Sequence, residues 1–251
     1  MFLQETGITG QSTVADTVGR HYRTANVFRK YGIEYCCGAR WPLSTVCMMK
    51  GIGEKELLAE LEKASRIVQL PAALPFDRWR IDFLTDYIIN VHHTYLADLF
   101  PALENSLTAF VKEHARKYPQ LAELTDVFHL LHHEGLSQLR YEEEVIFPYL
   151  RQVAHAGEDK DSLAAQLVRT LRKPIARVPE QGHQIFMARL YTIRQLTDNY
   201  TPPAKACTSH RVIFAQLREL DNDVIQHMYL ENEILFSRII SIEKELLDNK
   251  Q

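Results

Sequence analysis

Apolar residues recur at three- and four-residue spacings over long windows of this chain, and strand-like alternation is scarce. A period of that kind keeps one face of a helix apolar, so the pattern predicts an all-α protein. Near the N-terminus, DTVGRHYRTANVFRKYG reads as a helix ended by Gly32, and GEKELLAELEKASRI reads as a second helix. Two prolines and a change of polarity in LPAALPFDRW, residues 70–79, mark a linker. Four longer helices follow, expected over about 77–115, 119–154, 180–199 with a turn from 162 before it, and 208–248. KYPQ, HAGED and NYTPPA separate them as breakers. Pro101 and Pro148 fall inside predicted helices, where the missing N–H predicts kinks or early ends. The expected organisation is a small helical domain over 1–69, a linker over 70–76 and a four-helix bundle over 77–251.

The second and fourth bundle helices carry one phrase twice. Gln138-Leu-Arg-Tyr-Glu142-Glu-Glu-Val-Ile-Phe147 repeats as His227-Met-Tyr-Leu-Glu231-Asn-Glu-Ile-Leu-Phe236, at an offset of 89 residues. The first and third helices echo more loosely, His93-Thr-Tyr-Leu against His183-Gln-Ile-Phe, at an offset of 90. Helix pairs related by a pseudo-twofold bring matched positions to one level of the core, where bundle metal sites are built. Residues four apart share a helix face, so His227 and Glu231 converge, and so do Gln138 and Glu142.

Composition narrows the chemistry. With 29 basic and 32 acidic residues, a net charge of -3, the chain has no electrostatic footprint for nucleic acid or an acidic membrane surface. MFLQETGITG lacks a basic segment followed by an apolar run, and no apolar stretch approaches the ~18 residues of a membrane span. The chain therefore reads as cytoplasmic, and Cys36, Cys37, Cys47 and Cys207 as reduced thiols. A bond between the neighbours Cys36 and Cys37 would be strained, which leaves them as a reactive or metal-binding pair or as small apolar residues beneath a turn.

A lone histidine on an apolar helix face is more often a hydrogen-bonded core residue than a ligand. His93, Glu142, His183, His227 and Glu231 differ because they form a set spread over all four helices among leucine, isoleucine and phenylalanine. Burying that many polar groups without a metal is costly. Imidazole and carboxylate together suit iron, and carboxylates can bridge two metals. The other histidines, His21, His92, His114, His129, His132, His133, His155 and His210, read as surface residues or outer partners of the ligands.

These residues carry a family resemblance over nearly the whole chain. VFRKYGIEYCCGAR with PLSTVCMMKGI, LLHHEGLSQLRYEEEVIFP, NYTPPAKACTSH and HMYLENEILFS together resemble the iron-sulfur cluster repair di-iron proteins, the RIC type also called YtfE or ScdA. The resemblance implies a hemerythrin-like up-down bundle behind a small double-cysteine domain. It implies two non-haem irons per chain, with His93, Glu142, His183, His227 and Glu231 as ligands and Cys36 and Cys37 as the double cysteine. It also implies repair of clusters damaged by oxidative or nitrosative stress, through iron donation or nitric oxide chemistry. The partners would be damaged or apo iron-sulfur proteins and nitric oxide or oxygen, with a homodimer allowed. The alternative function is an oxygen or nitric oxide sensor or carrier without repair activity.

One position departs from the family pattern. Gln138 stands where the family has a histidine, in the slot that His227 fills in the repeat. At about 100° per residue, His133, His132 and His129 lie roughly 140°, 120° and 180° around the helix from it, and Glu134 only about 40°. Carboxamide oxygen is a weaker iron donor than imidazole. Three outcomes are open: two irons with one held loosely, one iron held by His183, His227 and the glutamates, or another metal. The first is the expected one.

Overall fold

The computed structural model describes residues 7–36, 40–66, 74–159, 166 and 178–248. Among them the chain is all-helical, and the backbone groups into two units. One comprises Met1–Ala73 with Thr197–Arg218, and the other comprises Leu74–Leu196 with Glu219–Gln251.

The first unit holds α1 (Val14–Arg20), α2 (Thr24–Lys30), α3 (Leu43–Lys50) and α4 (Glu54–Ser65). Thr13 caps α1 by accepting the Asp16 amide at 3.1 Å, and Gly32, with φ +61°, follows the end of α2. The single helix expected up to Gly32 is two helices, because the chain leaves the helix at His21 and the Thr24 hydroxyl donates to the His21 carbonyl at 2.6 Å. Val14, Val18, Ala25 and Phe28 are all buried in one apolar cluster. Their helical spacing runs through the break, which hides it from a reading of periodicity. A second difference is α3, which contributes buried Leu43 and Cys47 and ends on Gly51 at φ +67°. Val212 joins the same cluster, and Gln216 Nε2 donates to Asn26 Oδ1 at 3.1 Å.

In the second unit the first bundle helix runs through Ile81–Tyr87, a π-helical stretch Ile88–His93 and Thr94–His114. The second runs through Leu121–Tyr141, π-helical Glu142–Ile146 and Phe147–Asp159. The third is Val178–Leu196. The fourth runs through Thr208–Tyr229, whose residues up to Arg218 are counted with the first unit, then π-helical Leu230–Phe236 and Ser237–Asp248. Partners run in opposite order along successive helices: His93 meets Glu143 and Asp82 meets His155, Gln138 lies by Gly182 and Glu134 meets Arg189, Arg194 meets Asp221 and His183 meets Asn232. The bundle is therefore up-down-up-down.

Neither Pro101 nor Pro148 ends its helix. Pro148 directly follows the wider π-helical turns, where the α-helical bond lost to its ring is already interrupted. HAGED is helical to Asp159 rather than a breaker. Ala156 is fully buried there, and a Cβ on Gly157 would lie 2.6 Å from Ile242 Cγ2, so packing against the fourth helix overrides local propensity. The turn expected from 162 lies outside the described residues apart from helical Gln166. Ile88, Phe147, Leu150, Val153, Leu230 and Leu235 form part of the apolar cluster beside the polar centre. Among the described residues no helix is long and apolar enough to cross a membrane.

Candidate metal centre

Each of the three π-helical stretches carries a polar residue of the core: His93 in the first, Glu142 in the second and Glu231 in the third. A π turn shifts the side chains that follow it around the helix, and such turns recur at functional sites. Glu142 and Glu231 are 0% exposed, His93 2%, His227 4% and His183 5%.

Four donor atoms converge on one point. His93 Nε2 lies 3.1 Å from His227 Nε2, 3.5 Å from Glu142 Oε2 and 3.9 Å from Glu231 Oε1. His227 Nε2 lies 3.1 Å from Glu231 Oε1 and 3.9 Å from Glu142 Oε2. Beside them, His183 Nε2 lies 3.2 Å from Glu142 Oε1 and 3.1 Å from Glu231 Oε2, so each carboxylate turns one oxygen toward each group. Glu142 Oε2 and both oxygens of Glu231 are buried, and none is in hydrogen-bonding geometry despite these short approaches. Oxygens left so inside a core cost several kcal/mol each unless a cation is supplied. Nitrogen and carboxylate donors at these separations fit a divalent or trivalent metal such as iron.

The residue after each glutamate aims a histidine. His93 Nδ1 donates to Glu143 Oε1 at 2.9 Å, and His183 Nδ1 donates to Asn232 Oδ1 at 3.0 Å. Acceptors at Nδ1 fix the tautomer, so each Nε2 presents its lone pair to the site. Glu143 and Asn232 hold matching places in the repeat, which is the signal by which the sequence could have revealed them. His92, grouped in sequence with the surface or outer-partner histidines, is an outer partner: it is 2% exposed, stacks on His227 at 5.9 Å and bonds Asp223 Oδ1 through Nδ1 at 3.0 Å. Phe147 stacks on His93 and Phe236 on His183, which walls the centre with apolar rings.

Without metal the cluster attracts protons. Burial opposes charge on His183, but Glu142 and Glu231 outweigh it and lift its pKa to about 10. His227 is raised against its burial by Glu231 and Glu142. Glu231, although buried, is held well below the usual carboxylate range by His227 and His183. The negative field that raises both histidines is the field that a metal cation would meet there.

Gln138 sits one turn before Glu142, and its Nε2 donates to Glu142 Oε1 at 2.6 Å. The space that it fills depends on Gly182, where a Cβ would come 2.3 Å from Gln138 Oε1 and 2.8 Å from its Cδ. Glu134, the local alternative donor, is taken by Arg189 at 3.1 and 3.2 Å. Among the described residues, the group tight enough to share a metal is His93, Glu142, His227 and Glu231, with His183 alongside. Cys36 is half-buried in the first unit, and Cys37 lies outside the described residues.

Comparison with known proteins matches two stretches of the chain. Residues 85–239 match the hemerythrin HHE cation binding domain, and residues 10–65 match the ScdA N-terminal domain of unknown function, DUF542. The chain is similar to the iron-sulfur cluster repair protein YtfE of Enterobacter sp. (strain 638), 30% identical over 225 residues, covering 88% of this chain and 93% of that one. The same identity and coverage hold for YtfE of Escherichia coli O8 (strain IAI1). Iron-sulfur cluster repair protein ScdA of Staphylococcus epidermidis is 27% identical over 233 residues, covering 92% of this chain and 99% of that one.

Proposed function

Because this chain belongs to the hemerythrin HHE cation-binding family, in the branch of the iron-sulfur cluster repair proteins, we propose that it is a cytoplasmic non-haem iron protein that repairs clusters damaged by oxidative or nitrosative stress. The observation that carries this reading is the convergence of His93, Glu142, His227 and Glu231 on one buried point with His183 beside them. Damaged or apo iron-sulfur proteins would be the clients, and nitric oxide or oxygen the small ligands.

In this reading His93, His227, Glu142 and Glu231 would hold one iron, and His183 with the same two glutamates would hold a second. Bound there, iron supplies a one-electron couple and open coordination positions. The two donor sets are unequal. Gln138 contributes no imidazole, and its N–H competes for Glu142 Oε1, the oxygen that the second subsite needs. His183 and the two glutamates would therefore hold iron less tightly, a property suited to iron donation or to binding nitric oxide. Glu143 and Asn232 keep the His93 and His183 imidazoles aimed at the site. Phe147 and Phe236 limit water entry.

The test mixes iron-loaded protein with a nitric-oxide-inactivated iron-sulfur enzyme. Recovery of enzyme activity well above that given by Glu142→Ala and His227→Ala chains is expected. Equal recovery with those variants would overturn the repair reading.

A further inference from the structure

The first unit brings together two cysteines that lie far apart in sequence. Cys36 follows α2 in the loop toward α3, and Cys207 directly precedes the helix that begins at Thr208. Their side chains interact directly, and no disulfide joins them. Both are half-buried, unlike Cys47, which is 3% exposed in the apolar cluster.

The backbone holds Cys207 in place at some cost. Asp198, Asn199 and Tyr200 follow one another at φ +49°, +50° and +61°, a left-handed run that costs roughly 1 kcal/mol or more per residue without glycine. Thr197 fixes it, its hydroxyl accepting the Tyr200 amide at 3.1 Å and its carbonyl the Thr201 amide at 3.0 Å. A turn follows, with the Ala206 amide on the Pro203 carbonyl at 2.8 Å. Cys207 then occupies the N-cap, its carbonyl accepting the Arg211 amide at 3.2 Å, and its sulfur faces the backbone N–H groups of Ser209 and His210. Ser, Thr, Asp and Asn are the usual residues there. A cysteine in that place puts a sulfur where the exposed N–H groups and the helix dipole stabilise a thiolate, while burial pushes its proton affinity up. Val212 and the Gln216–Asn26 bond, one and two turns further on, tie the helix start to the unit that carries Cys36.

We propose that Cys36 and Cys207 are a redox-active dithiol, oxidised to an intramolecular disulfide by low-molecular-weight disulfides such as oxidised glutathione. The Cys36 thiolate attacks one sulfur of the oxidant, forming a mixed disulfide and releasing one glutathione thiolate. Cys207 then attacks the Cys36 sulfur, its proton passing to the second departing glutathione. Two protein thiols lose two electrons, and one glutathione disulfide becomes two thiols. Cys207 is the resolving thiol, because its sulfur is held beside Cys36 by the capping bonds and becomes thiolate as it reacts. This proposal stands apart from the metal centre and does not depend on iron.

The test equilibrates the full iron-loaded chain in glutathione buffers of rising oxidised fraction, then quenches with acid, alkylates and digests with trypsin. The expected product joins residues 31–40 to residues 206–211 through a disulfide, with Cys47 still alkylated. The Cys37→Ser chain keeps this product, and Cys36→Ser lowers it at least tenfold. Cys207→Ser accumulates glutathione on Cys36 at least fivefold over the unsubstituted chain. A link kept by Cys36→Ser and lost in Cys37→Ser would overturn the assignment, as would a bond between Cys36 and Cys37 alone or glutathionylation with no internal bridge. Circular dichroism establishes that each variant is folded, and the two single variants at 36 and 37 decide the question even if Cys207→Ser is not.

Discussion

Gln138 Nε2 donates to Glu142 Oε1 across 2.6 Å, one helical turn apart on the second bundle helix. An imidazole at 138 would add a donor, whereas the carboxamide ties up an oxygen that a second metal would use.

Gln138→His is therefore expected to raise bound iron toward two per chain and to tighten the weaker iron at least tenfold. Metal analysis after graded chelator competition measures both. Unchanged stoichiometry and affinity would show that the residue at 138 does not govern the second subsite.

Gly182 faces that same glutamine across the helix pair. Gly182→Ala would bring a Cβ within 2.3 Å of Gln138 Oε1, so the end of the glutamine must shift and its bond to Glu142 is disturbed. Overpacking of this kind costs about 1–3 kcal/mol, which outweighs the gain of about 0.5–1 kcal/mol from alanine in a helix. With Gln138→Ala as well, the clash disappears, so the double variant should be more stable than the additive sum. Urea unfolding of the four chains gives the coupling, and simple additivity would argue against the contact.

Arg194 grips Asp221 by two bonds of 2.6 Å, linking the third and fourth bundle helices. The Asp221 side chain is 5% exposed and that of Arg194 is 24%. Arg194→Ala should cost about 2–3 kcal/mol, less than for a wholly buried pair because water reaches the guanidinium. A loss below ~0.5 kcal/mol in urea unfolding would place this pair with ordinary surface bridges.

Tyr31 donates to Glu60 at 2.8 Å, and that bond, with burial and the charge of Glu56, lifts the phenol to about 12. An unfolded tyrosine ionises near ~10. Folded protein thus holds this proton more tightly between the two values, and the stability it contributes is complete below pH ~10 and lost as pH rises through about 12. In an absorbance titration, Glu60→Gln should move one phenol equivalent back toward ~10. An unchanged titration would mean that Glu60 does not hold the proton.

Much of the architecture was legible in the sequence because long bundle helices advertise themselves by period. The fourth helix, expected over 208–248, is helical from Thr208 to Asp248. Errors arose where tertiary contacts outvote local signals: His21–Arg23 breaks a helix whose apolar period continues, and HAGED stays helical because Ala156 and Gly157 pack inward. The repeat of Glu142 and Glu231 at one offset pointed to the centre, and the structure gathers those residues with His93, His183 and His227.

Periodicity and the internal repeat by themselves determined the bundle, the level of its polar centre and the odd place of Gln138, since each depends only on which residues recur on one helix face. Only the tertiary structure decided which oxygen faces which histidine, that Gly182 makes room for Gln138, and that Cys207 meets Cys36. Those relations join residues on different elements, and they depend on π-helical turns, capping geometry and close approach that no one-dimensional spacing encodes.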